Sequence, residues 1–439
     1  MRGSRPTQVR AGAEDMSPEP THAHRRADGS YHVSIAGPIF SEPMSRLAQE
    51  PLPGQLTGTV VWQLVRDLAD RSQRVSAVTL DQSATESVTV GTRSLDVVCG
   101  PYRARHRMRD LMRVERHAVR DGLAHLRPDL VNAHWCYEYA LGALATGIPT
   151  LVTVHDWAPA IVRLVDQRSR PYWTGRLLMF FLALARARFL TANSPYIAGK
   201  VRRFSTAAIE VVPNGFPDVC FAGAGAYAGL PAADAIPVVI AVNNGFGPLK
   251  NVPRLLEAFH TLRQRGIACQ LQLVGDGYEP DGPCDAWARR HKRATGVTFL
   301  GPLPRERVIH MMNGATVLVH PSREESFGMT LVEAMSQRLA VIGGARSGAV
   351  PWVLDGGGAG LLTDVDDPRA LAQAVEAVVT QPSLRARLAS DGYSHAWKSF
   401  RQSRVTDLYL DAYSRLLAEE PSKPRSRRCY ALPGAPPAD

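Results

Sequence analysis

The chain has 439 residues, 45% hydrophobic and 21% charged, which is enough length and apolar content for two or three domains with full cores. Intrinsic disorder is excluded as a description of the whole chain. The six scattered cysteines (99, 136, 220, 269, 284, 429) show no C-x-x-C spacing, which excludes a disulfide scaffold and reads as reduced thiols of a cytoplasmic protein. Lysine and arginine number 51 against 41 acidic residues, a formal charge of +10 to which lysine contributes only five cations. Such a balance suits nucleic acid, an anionic membrane face or an acidic small substrate.

Residues 1–30 are polar with no apolar centre, and predict a disordered arm rather than a secretory leader. From there, short apolar runs alternate with amphipathic ones. Strands are expected at 31–36, 75–80, 130–135, 149–154, 189–193 and 209–213, with helices at 59–71 and 107–126 among them. Runs of Val, Ile and Leu without polar alternation mark strands buried on both faces, the signature of a parallel sheet. The apolar run Leu177–Ala185 is nine residues long, against roughly 20 for a membrane span.

The pattern pauses over 216–236, rich in Gly, Ala and Pro, which reads as an interdomain linker. It then resumes with strands at 237–243, 269–275, 297–301, 316–320, 340–343 and 360–363 and helices at 251–265, 304–313 and 367–380. The expected fold class is α/β, with two doubly wound, Rossmann-like domains (31–215 and 237–400) facing each other across a cleft. A helix over 401–420 is expected to pack back on the first domain, followed by a disordered tail, 421–439.

Ligands of such sheets sit beyond the carboxyl ends of the strands. His134, the His155-Asp156 pair and the segment His320 to Glu325 fall there. The stretch Glu325-Ser-Phe-Gly-Met-Thr-Leu-Val-Glu333 is the most informative. A Ser-Phe-Gly turn opens a helix whose free N–H groups, at Phe327, Gly328 and Met329, suit a diphosphate. Glu325 and Glu333 lie eight residues apart, at most about 12 Å at 1.5 Å per residue. One carboxylate could hold a hexose and the other a ribose diol. Glu325 as a helix-cap partner and Glu333 as a solvated charge remain open on the same residues.

This E-x7-E element and the residues that follow it resemble glycosyltransferase family 4, the GT-B group that transfers sugars with retention. Further segments fall in the order of that family: PDLVNAHW (128–135), GIPTLVTVHD (147–156), VVPNGF (211–216), NNGFGPLKN (243–251), LVGDG (273–277) and VTFLGPL (297–303). The resemblance spans about residues 31–418. It implies that Glu325 binds the donor sugar and Glu333 the ribose. Lys250 and the amides of Phe327, Gly328, Met329 and Thr330 would hold the diphosphate. Gly58, in the loop 51–58, would close over it, and His155 would act beside the transferred sugar.

The resemblance further implies a UDP- or GDP-sugar donor, no cofactor and no metal. The acceptor would be a saccharide or a lipid-linked molecule of bacterial polysaccharide or glycolipid synthesis. Two positions depart from the family: Gly245 stands where an arginine is usual, with Arg323 or Asn244 as substitutes, and Thr57-Gly58 replaces a Gly-Gly pair. Asp364 and Asp366 read as the cap of helix 367–380. Arg103, Arg107, Arg113, Arg116 and Arg120 crowd the expected helix 107–126 and would suit an anionic membrane surface, placing the protein in the cytoplasm and peripherally on the inner membrane face. Nucleic acid is not expected, for want of a recognition motif. A nucleotide-sugar epimerase, a starch-synthase-like enzyme and a non-catalytic basic module are the competing readings.

Overall fold

A computed structural model describes residues 31–39, 59–91, 95–165, 167–222 and 236–418. The expected arm 1–30, the loop 51–58 with Gly58, most of the linker and the tail lie outside the described residues.

The first half runs β1 (Val33–Ala36), α1 (Val60–Asp70), β2 (Val75–Asp81), β3 (Val88–Gly91), β4 (Leu95–Pro101), α2 (Arg113–Leu126), β5 (Leu130–His134), α3 (Glu138–Leu144) and β6 (Thr150–Val154). It continues with α4 (Ala158–Leu164), α5 (Arg170–Arg186), β7 (Phe189–Ala192), α6 (Pro195–Val201) and β8 (Ala208–Val211). The strands form one sheet in the order β3-β4-β2-β1-β5-β6-β7-β8. All pairings are parallel except β3 with β4.

The second half contains α7 (Val219–Ala222), β9 (Val238–Val242), α8 (Val252–Gln264), β10 (Gln270–Val274), α9 (Pro283–Arg290), β11 (Val297–Phe299), α10 (Arg305–Gly314) and β12 (Val317–His320). There follow α11 (Met329–Ser336), β13 (Ala340–Gly344), α12 (Val350–Val353), β14 (Leu361–Thr363), α13 (Pro368–Thr380), α14 (Pro382–Phe400) and α15 (Gln402–Ala418). Its sheet is parallel throughout, in the order β11-β10-β9-β12-β13-β14. Counted from β9, that is 3-2-1-4-5-6, the dinucleotide-fold order, with its switch point between β9 and β12. The parallel strands of the first sheet follow the same order extended by β8, with the switch between β1 and β5, and β3 adds an antiparallel edge.

Helices cover both faces of each sheet. Val33, Ile35, Val131 and Val152 in the first domain, and Leu271, Val317 and Ile342 in the second, have no exposed surface. Each contributes about 1.5–3 kcal/mol by leaving water. Local chemistry sets the helix starts. Ser194 caps α6 by accepting from the Ile197 amide at 3.3 Å, and Pro195 occupies the first turn, where no amide partner is needed. Asp367 caps α13 in the same way. Asp364 and Asp366 are therefore not the cap: they pair with Arg346 and Arg323, each at 2.6 Å.

The chain crosses between domains twice, side by side. The Phe216 amide donates to the Phe400 carbonyl at 2.8 Å, and the Gln402 amide to the Phe216 carbonyl at 2.7 Å. Phe216 and Phe221, assigned to the linker by composition, are buried in the core of the second domain. Beyond the crossing, α15 lies on the first domain, where Tyr409 and Tyr413 join the core formed by β1, β2 and α1.

The expected helix 107–126 is two pieces. A 3-10 turn, Arg107–Asp110, is separated from α2 by Leu111 and Met112, both at positive φ (51° and 58°). Arg103 precedes both pieces and is held by Glu115 at 2.7 Å and Asp110 at 2.8 Å. Arg107 folds over the rings of Tyr102 and Tyr172, at 4.6 and 5.1 Å. Arg116 is half-buried, with its pKa lowered by burial, and Arg120 pairs with Asp121 at 2.7 Å. The five arginines therefore do not form one free helical face; of them only Arg113 is exposed. No helix among the described residues is long and apolar enough to cross a membrane.

Candidate active site

Strand β12 delivers His320 at its carboxyl end, and the chain then turns through Glu325 into α11. Gly328 is the cap residue of that helix at φ +91°, a conformation that costs a glycine little. The first amides of α11 open toward a cavity of about 380 Å³ at the β9/β12 switch point. Lys250, Glu325, Gly328, Met329, Thr330 and Glu333 line it together, from segments up to 83 positions apart. Phe327 contributes no side chain there. Its ring is buried, edge-on to Trp352 and Phe400.

Glu325 is the best-partnered group of the cavity. The Lys250 ammonium lies 2.6 Å from its Oε1, and His320 Nε2 lies 3.1 Å from the same atom. With Nε2–H donating to Glu325, the Thr330 hydroxyl is left to donate to His320 Nδ1, at 3.5 Å. Burial opposes the charged carboxylate, but the His320 hydrogen bond and the Lys250 charge outweigh it and hold the pKa at about 2. Glu325 is thus ionised and weakly basic across the physiological range.

Glu333, one helical turn inside α11, takes a hydrogen bond from the Arg305 guanidinium at 2.8 Å. Arg305 lines the cavity and sits 5.1 Å over the Phe216 ring. Sequence reasoning missed Arg305, and it placed His320 at a strand end facing the ligand side without giving it a role. Gly245, where the resemblance implies an arginine, has φ +89°, a conformation in which a side chain is strained. Of the two substitutes expected, Asn244 lines the cavity. Arg323 instead donates to Asp366 and, at 2.9 Å, to the Pro248 carbonyl.

His155 does not line this cavity. It follows β6 in the first domain, buried, with its Nε2 2.8 Å from His134 Nδ1 and its ring stacked 4.2 Å from Trp135. Burial lowers its pKa to about 3 and pushes His134 well below the usual histidine range, so both rings are neutral at pH 7. Asp156 next to it is pushed up to about 6 by burial, against the Tyr137 hydrogen bond and the Arg176 charge. The strand ends of the first domain nevertheless reach the second. Ser194 Oγ donates to the Ser326 carbonyl at 2.6 Å, and the Tyr196 hydroxyl donates to Glu324. No group of three or more His, Cys, Asp or Glu among the described residues is arranged to hold a metal ion.

Two Rossmann-like domains facing each other, with the cavity on the inner end of the second sheet, define a GT-B fold of the glycosyltransferase class. The family model described as Glycosyltransferase Family 4 matches residues 57–219, and that described as Glycosyl transferases group 1 matches residues 232–395. Between them they take in most of both domains, and the chain belongs to glycosyltransferase family 4. A D-inositol 3-phosphate glycosyltransferase from Saccharomonospora viridis is 29% identical over 309 residues, covering 66% of this chain and 70% of that protein. Among solved structures, sucrose-phosphate synthase from Thermosynechococcus elongatus superposes with a TM-score of 0.71 at 20% identity, over 88% of this chain and 99% of that one. HepE from Anabaena, in complex with UDP-glucose, gives 0.62 at 17% identity, over 88% and 100%. These structural likenesses establish the fold.

Proposed function

We propose that the protein transfers a sugar, with retention, from a nucleotide diphosphate sugar to a saccharide or lipid-linked acceptor. The observation that carries this reading is the convergence of Lys250, the opening amides of α11, Glu325 and Glu333 on one cavity. A diphosphate between Lys250 and the positive end of α11 has its developing charge stabilised as the glycosidic bond breaks. Glu325 accepts from hydroxyls of the donor sugar, and Glu333 from the ribose diol, through carboxylate lone pairs that Lys250, His320 and Arg305 leave available. The UDP-glucose complex of HepE supports a uridine diphosphate donor, with a GDP-sugar as the other candidate.

In the reaction, the C1–oxygen bond to the diphosphate breaks and a bond from C1 to the acceptor oxygen forms on the same face. The acceptor proton goes to the departing phosphate oxygen. Glu325 at a pKa of about 2 is a poor base for that proton, whereas a phosphate with a pKa near 6 is a better one. His155 would serve as a neutral hydrogen-bonding group beside the transferred sugar. Asn193 Nδ2 donates to its carbonyl at 3.0 Å, and the next residue, Ser194, touches Ser326, one position from Glu325. Gly58 would close over the diphosphate from the first domain.

Nucleotide release from a panel of UDP- and GDP-sugars, with and without saccharide acceptors, tests the reading. Release of UDP or GDP that rises with an acceptor supports it. Binding without release from any donor favours a non-catalytic module, and conversion of one nucleotide sugar into another favours an epimerase. Glu333→Ala is expected to weaken donor binding, and Glu325→Ala to lower turnover more than nucleotide affinity.

A further inference from the structure

Four consecutive residues, 193–196, connect two groups that the proposed transfer uses in opposite domains. They follow β7 and open α6, and the side chains of Asn193 and Ser194 are buried. Asn193 Nδ2 donates to the His155 carbonyl at 3.0 Å. The Ser194 hydroxyl serves two partners: it accepts from the Ile197 amide as the cap of α6 and donates to the Ser326 carbonyl of the second domain at 2.6 Å. Tyr196 donates its hydroxyl to Glu324. We propose that segment 193–196 is a positioning clamp that sets His155 in register with Glu325, an inference that rests on the sugar-transfer reading of those two residues.

The clamp holds Glu325 by both flanks. Tyr196 takes Glu324, Ser194 takes the Ser326 carbonyl, and between them the Ala349 amide donates to the Glu325 carbonyl at 2.9 Å. Gly348 permits the approach, because a side chain there would strike the Glu325 carbonyl oxygen and the Tyr196 ring. Lys250 and His320 fix one side-chain oxygen of Glu325, but both belong to the second domain and do nothing to place the first.

The consequence is a split between binding and turnover. Lys250, Arg305, Glu333 and the opening amides of α11 all belong to the second domain, so UDP affinity depends on them first and little on the clamp. Transfer is more demanding: a misplacement of about 1 Å among the groups around the reacting atoms costs about a hundredfold in rate. Cutting the clamp leaves His155 and Glu325 each intact in its own domain and removes the bonds that align them.

Two variants separate this role from a structural one. Glycine is an accepted cap residue, so Ser194→Gly/Tyr196→Phe removes both donated hydrogen bonds while sparing the start of α6 and the ring at 196. Glu324→Gln keeps an acceptor for the Tyr196 hydroxyl and loses only the charge. Calorimetry with UDP, UDP release from UDP-glucose, and hydrogen exchange of the 321–328 amides in the unliganded full chain are compared across them. The proposal expects the double variant to lower kcat about tenfold or more with UDP affinity near that of the wild type, and Glu324→Gln to keep most of the turnover. It expects faster exchange over 324–328 in the double variant alone. Wild-type kcat in the double variant overturns the clamp. A parallel loss of UDP affinity and kcat also overturns it, because that marks a general structural role. A wild type that releases no UDP from UDP-glucose bears on the donor reading alone. Exchange then decides the clamp, which stands if the double variant exchanges faster and falls if the two proteins match.

Discussion

Glu325 and Glu333 are both carboxylates of one short segment, but their neighbours give them different work. Lys250 and His320 share one oxygen of Glu325, and the folded pKa near 2 lies below the ordinary glutamate value of 4.5. A depressed carboxyl contributes stability that is full above pH 4.5 and is lost as the pH falls from there toward 2. The expected contribution is about 3 kcal/mol, from about 1.4 kcal/mol per pH unit. Denaturant unfolding of the wild type and Glu325→Gln checks this: the gap in stability should shrink across that window and not above it. Arg305 acts on the other carboxylate. Arg305→Met leaves Glu333 without its 2.8 Å partner and is expected to weaken UDP about tenfold. A double-mutant cycle with Glu333→Gln measures the coupling, and an unchanged UDP affinity in Arg305→Met removes Arg305 as the group that positions Glu333.

At the scale of elements, legibility follows burial. The central strands of both sheets are covered on both faces, so they appear in the sequence as short runs rich in Val, Ile and Leu, broken only by buried polar residues such as Ser34 and Asn132 in the first sheet and by Gln272 in the second. The edge hairpin partner β3 is largely exposed, is four residues long with a threonine and a glycine among them, and leaves no such run. The break before α2 was invisible for a different reason. Leu111 and Met112 are ordinary helix formers, and only their tertiary surroundings hold them at positive φ. Glu325, Glu333 and Lys250 could be read from spacing and resemblance, whereas Arg305 and His320 meet the two glutamates only because α10, β12 and α11 converge. The ends of β5 and β6 carry a prediction of their own. Neutral, buried His134 and His155 have folded pKa values below the unfolded value of 6.5, so stability is full above pH 6.5 and falls as the unfolded chain takes up protons. For His155 the loss is about 2 kcal/mol between pH 7.5 and 5. Urea unfolding of His155→Asn across that range should show a flatter profile than the wild type, and parallel profiles would contradict the neutral pair.

For the whole molecule, arginines such as Arg103, Arg254, Arg289 and Arg305 are tied into ion pairs within domains, but each pair takes an acidic residue with it, so the excess of 51 basic over 41 acidic residues is not reduced by pairing. What joins the halves is different: two adjacent chain crossings, the Ser194 and Tyr196 contacts to Ser326 and Glu324, and α15. That helix follows the second domain in sequence but completes the first. Asn132 on β5 donates to the Tyr413 hydroxyl at 2.8 Å, and its carbonyl accepts from Thr153 on β6, which bonds Thr191 on β7 at 2.8 Å. A buried polar ladder therefore runs from the helix across three strands. Tyr413→Phe keeps the ring and strands the Asn132 amide, a change costing about 1–3 kcal/mol. Because the ladder lies wholly within the first domain and α15, calorimetry should move the melting of that unit and leave the second domain where it was. Equal displacement of the whole transition would mean that the two domains unfold as one cooperative body, with α15 coupling them rather than closing only the first.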